Sequence, residues 1–168
     1  MGRDTARCKV SLLPVVKIDA DADADSVNAI HHNVGKMIGG NLSYTMADGN
    51  DKWIYSAIRS VATEQDLFGT IVSYTDGSAS VASGDKIKIV YIKHLGVTSS
   101  DEVTTDNIWI SIDGSTPTAT NANGFILEPN ESMILKPTGL THSNFHSKSS
   151  GSDTIKLEFM AILDDVSE

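Results

Sequence analysis

Cys8 is the only cysteine in the chain, so no intrachain disulfide can staple the fold. Whatever structure forms must be held by its own core. Basic residues are also scarce: 13 Lys and Arg stand against 22 Asp and Glu, for a formal net charge of -9. That balance removes the electrostatic footprint of a nucleic-acid binder, and no nucleic-acid partner is expected. Long apolar runs are missing too. Val10 to Val16 is broken by Pro14, with no small-residue cleavage site after it, and nothing reaches the roughly 18 apolar residues of a membrane span. A soluble protein with no targeting segment and no membrane partner is expected.

What is there is a chain of 168 residues, room for one domain plus an arm. A domain of that size buries roughly 70% of its unfolded surface. Residues 1–41 read as an extended N-terminal arm. Asp19-Ala20-Asp21-Ala22-Asp23-Ala24-Asp25 is a low-complexity acidic run, Gly35, Gly39 and Gly40 punctuate the stretch after it, and Ser26 caps at most a short helix.

Residues 42–168 read as an all-β domain. The clearest strand is launched by Gly84-Asp85 and runs to His94, with Ile87, Ile89 and Tyr91 on one face and Lys86, Lys88 and Val90 on the other. Asn107 to Asp113 alternates Ile108, Ile110 and Ile112 with Trp109. Ile155, Leu157, Phe159, Ala161 and Leu163 share one face of the last and longest strand. A hairpin is expected from Leu42–Met46 and Lys52–Val61 across Asp48-Gly49. The second of these also matches a helix face, but its aromatic and β-branched residues favour strand. Thr63 to Asp66 reads as a helical turn, Thr70 to Tyr74 as a short strand, and Glu128-Pro129-Asn130-Glu131 as a tight turn pairing Phe125–Leu127 with Met133–Leu135. Eight or nine strands at roughly ten-residue spacing predict an antiparallel β-sandwich, with a jelly roll as the best fit and an immunoglobulin-like sandwich as the alternative.

No catalytic constellation is complete, so no enzyme, cofactor or metal site is assigned. The alternate aspartates open like an EF-hand loop, but the sixth position lacks Gly and the twelfth lacks Glu. Pro137 to His146 resembles the second cupin motif, with His142 as the metal-binding position. Glu131 stands where that motif has Gly, however, His146 where it has Asn, and the first motif's His-x-His is missing. On a strand, His142 and His146 lie about 13 Å apart, too far to share a zinc ion. His94, His31 and His32 have no partners at ligand spacing. There is no Gly-x-Ser-x-Gly elbow, and the triplets at Asn41 and Asn130 read as turns.

Two stretches read as interface. Trp109 points away from Ile108, Ile110 and Ile112, and is either a binding residue or covered within its own subunit by a loop or the arm. In the arm, Leu12, Leu13, Val15 and Val16 supply apolar area for a segment that orders on a partner. Taken together, Ser83 to Gly96, Asn107 to Gly114, Gly124 to Leu135 and Met160 to Val166 resemble small virion proteins of tailed bacteriophages. The likeness spans residues 52–168 and is strongest to capsid decoration, or cement, proteins. It implies a non-enzymatic protein of the virion, assembled in the host cytoplasm, whose partners are the major capsid protein and further copies of itself, with a trimer the expected form. A receptor- or glycan-binding module of a tail fibre and a cupin-like metal enzyme are the competing expectations.

Overall fold

The computed structural model describes residues 5–11, 39–45, 51–68, 84–120 and 123–164. The chain divides into two compact units, Met1–Met46 and Ala47–Glu168. In the first, strand β1 (Thr5–Ser11) pairs antiparallel with β2 (Gly39–Thr45), from Thr5 opposite Thr45 to Ser11 opposite Gly39. The hairpin expected between Leu42–Met46 and Lys52–Val61 is therefore not formed, because β2 takes its partner from the N-terminal residues. Leu12, Leu13, Val15, Val16 and the Asp19–Asp25 run lie outside the described residues, as does Thr70–Tyr74.

The second unit is all-β and antiparallel throughout. It contains β3 (Asp51–Val61), β4 (Gln65–Asp66), β5 (Lys86–Thr98), β6 (Ile108–Ser111), β7 (Gly124–Leu127), β8 (Ser132–Leu135), a 3-10 turn at His142–Asn144, β9 (His146–Ser149) and β10 (Ile155–Asp164). One sheet has the order β3-β10-β5-β8 and the other β4-β9-β6-β7. Pairing is nested: β3 with β10, β4 with β9, β5 with β8 and β6 with β7. Both sheets turn one face to a common core. Ile87, Val90, Ile92, Leu157, Phe159, Ala161 and Leu163 come from the first sheet, and Ile108, Ile110 and Leu127 from the second. Phe68 fastens the two: its ring meets Phe145 edge-on at 5.6 Å and Phe159 at 5.4 Å. Each such ring contributes about 1.5–3 kcal/mol by burial, and the edge-to-face contacts add to that.

Period two holds along β10, where Ile155, Leu157, Phe159, Ala161 and Leu163 are all buried in the core. It fails in β5. Leu163 opposes Ile87 and Ile162 opposes Ile89, so Lys88 is an extra residue in the ladder. That bulge turns the strand over. Val90 and Ile92 enter the core with Ile87, while Ile89 lies outside that cluster and Tyr91 is half-buried. The helical turn expected at Thr63–Asp66 is instead strand β4, whose Gln65 and Asp66 pair with Ser147 and His146.

Glu128–Glu131 does form the expected turn, with the Glu131 N–H on the Glu128 carbonyl at 3.0 Å and Asn130 at φ 72°. A left-handed third residue after Pro129 is the type II pattern. Yet the strands it joins are not partners: β7 pairs with β6 and β8 with β5. The turn carries the chain from one sheet to the other.

Candidate functional site

The outer face of the second sheet carries Trp109. On β6, Ile108 and Ile110 are buried and Trp109 between them is half-buried, as alternation requires. Its cross-strand neighbours are Ile126 on β7 and Lys148 on β9. The Lys148 Nζ lies 6.0 Å from the indole centroid, at the outer limit of a cation–π contact and worth about 0.5 kcal/mol at such a site. Ile126 is 46% exposed. Trp109, Ile126 and the Lys148 stem therefore form one band that is apolar along its middle and cationic at one end. Such a band suits a protein surface or a flat ring better than a reacting group.

Beside that band the loops are fixed by short polar bonds. The Asp113 carboxylate accepts bonds from the Ser115 hydroxyl, the Ser115 N–H and the Asn123 amide. These donors, the Ser115 hydroxyl foremost, lower its pKa from 3.8 to about 2.

A second polar cluster joins β4 to β9. His142 opens the 3-10 turn with Nδ1 3.7 Å from Asp66 Oδ2, and among the described residues neither of its buried ring nitrogens has a hydrogen-bond partner. The Asp66 carboxylate accepts the Phe68 N–H at 2.8 Å through its other oxygen. His146 sits against Glu64 at 2.5 Å and against the Ser143 carbonyl at 3.1 Å. The two histidines weighed above as residues of one strand are thus split between a turn and a strand, each facing a carboxylate. No sequence signal marks that pairing, because Glu64 lies 82 residues from His146. Among the described residues no hydroxyl is hydrogen-bonded to the His142 ring. Among the described residues, no group of three His, Cys, Asp or Glu side chains could hold a metal ion.

His94 is fully buried in β5. Its Nδ1 accepts the Gly96 N–H at 2.9 Å, so Nε2 carries the proton and donates to the Asp106 carbonyl at 2.9 Å. Both nitrogens are used in shaping the loop after β5. An apolar pocket of about 300 Å³ opens near the start of β7 and the end of β8, lined by Ile112, Phe125, Leu135, Pro137 and Leu140 among others.

Searches of protein-family models, curated proteins and solved structures find nothing that matches this chain. Of the expected interface residues, Trp109 is where the sequence placed it, and Leu12, Leu13, Val15 and Val16 lie outside the described residues. No helix among the described residues is long and apolar enough to cross a membrane.

Proposed function

We propose that the second unit is a jelly roll and that the protein is a non-enzymatic decoration or cement protein of a phage head, bound to the major capsid protein as a homo-oligomer, with three copies the expected number. The observation that carries the fold is strand order. Numbered one to eight from β3, the strands run 1-8-3-6 and 2-7-4-5, the order made when a long hairpin is folded over into two sheets. That order supports the jelly roll over an immunoglobulin-like sandwich, whose two sheets run A-B-E-D and C-F-G.

Two observations and one resemblance support the role. The band around Trp109 offers a contact surface with an aromatic at its centre. His94 and His146 have their ring nitrogens engaged with neighbouring groups, which fits a structural protein better than a metal enzyme. The likeness of residues 52–168 to small virion proteins supplies the partner class. A symmetric oligomer multiplies weak contacts on a symmetric shell, so modest single sites suffice. The residues of the arm serve attachment in this reading, with Leu12, Leu13, Val15 and Val16 as its apolar anchor.

Binding to shells stripped of their native decoration tests this directly. The full chain should bind saturably, Trp109→Ala should weaken binding about tenfold or more, and a chain beginning at Ala47, the start of the second unit, should melt cooperatively yet lose shell binding. Saturable binding to a glycan array with none to shells would favour the fibre module, for which the outward Trp109 is the specific observation. A stoichiometric transition metal lost on His142→Ala would instead favour the cupin-like enzyme.

A further inference from the structure

Strand β7 is last in its sheet among the described residues, and nothing in Gly124-Phe125-Ile126-Leu127 guards its outer edge. It has no charge, no proline and an unbroken register with β6, so of the usual devices that keep an edge strand from pairing it shows only shortness. Both of its middle side chains face water: Phe125 is 36% and Ile126 46% exposed. From this we propose that β7 pairs with β7 of a second copy, antiparallel across a two-fold axis, so that the sheet β4-β9-β6-β7 continues through both copies. The inference rests on the self-association proposed above and names its surface.

Register is set by which way the side chains point. Ile126 lies in one cross-strand row with Trp109, on the outer face. An axis perpendicular to the sheet keeps that face outward in both copies, so Ile126 has to meet an outward residue. Ile126 opposite Ile126 makes one apolar row of Trp109, two isoleucines and the second Trp109. It sets Phe125 opposite Leu127, and Gly124 opposite Glu128. The one carboxylate at the seam then faces a residue with no side chain, and no like charges oppose. That self-complementarity is the reason the partner is another copy. A ladder this short buries less than about 1,200 Å², the class of weak and transient contacts, so the pair is expected to have a dissociation constant on the order of micromolar or higher. A two-fold contact closes a pair; a trimer formed through another surface would be joined to a second trimer by it.

The test uses the full chain with Cys8→Ser. Ile126→Cys meets itself across the axis, where residues directly opposite have Cα atoms about 4.5–5.5 Å apart, inside the reach of a disulfide. Phe125→Cys meets Leu127. Mild oxidation should link Ile126→Cys into dimers at least tenfold more than Phe125→Cys. Ile126→Lys should raise the dissociation constant at least tenfold in sedimentation while leaving the circular dichroism unchanged, since position 126 is exposed. Equal linking of the two cysteine variants, or none at Ile126→Cys, overturns the proposal. Light scattering on the unaltered chain keeps the two ideas apart: an oligomer without the 126 link overturns this surface alone, whereas a monomer at every concentration overturns self-association as well.

Discussion

His94 and Asp113 show what single polar residues do in this domain. His94 holds the Gly96 N–H and the Asp106 carbonyl with its two ring nitrogens. Replacing it by leucine would take the partner from the buried Gly96 N–H and the part-buried Asp106 carbonyl, at a cost of about 1–3 kcal/mol. Chemical denaturation of His94→Leu should show that loss, and a change under about 0.5 kcal/mol would mean water reaches both groups. Asp113 gives the opposite kind of dependence, visible in pH. Its folded pKa, lowered to about 2, lies below the unfolded value. The bonds to Ser115 and Asn123 are therefore at full strength above about pH 4 and are lost as pH falls through about 2. An NMR titration of the Asp113 carboxyl should centre near 2; a midpoint near 3.8 would show that the donors do not hold it.

At the scale of strands, β7 is seated by what Gly124 lacks. A Cβ there would lie 2.3 Å from the Ile110 carbonyl oxygen, a backbone atom that cannot swing aside. Gly124→Ala should push β7 off β6 and cost about 1–3 kcal/mol, with hydrogen exchange accelerated at Phe125 and Ile126 before the rest of the sheet. Unchanged exchange there would mean the sheet absorbs the methyl. The same strands show what the sequence made legible. β6 and β10 could be read, down to the outward Trp109, because unbroken alternation decides facing on its own. β5 could be located but not oriented past Lys88, since one inserted residue reverses every later side chain and leaves no mark in composition. Glu128–Glu131 was legible as a turn, but a turn fixes a reversal and not the sheet the chain enters next. Glu64 and Asp66 were read as a helical turn because a two-residue strand is too short to show a period.

For the whole molecule, the all-β antiparallel class was legible from strand spacing. The partner of β2 was not, because β1 lies across residues 12–38, where the Asp19–Asp25 run and the lack of turn spacing leave no pairing signal. Which strands lie side by side depends on contacts far apart in sequence, and these appear only in three dimensions. The nested pairing also sets a schedule. β10 lies between β3 and β5, so the first sheet has a gap at its centre until residues 155–164 exist. On a ribosome adding about 5–20 residues per second, β3 waits roughly 5–20 s for the strand that must be laid against it. Ile87, Val90 and Ile92 face water for part of that wait. The domain should thus complete its fold only once residues 155–164 have been made, and its yield should depend on chaperone supply more steeply than its final stability would imply.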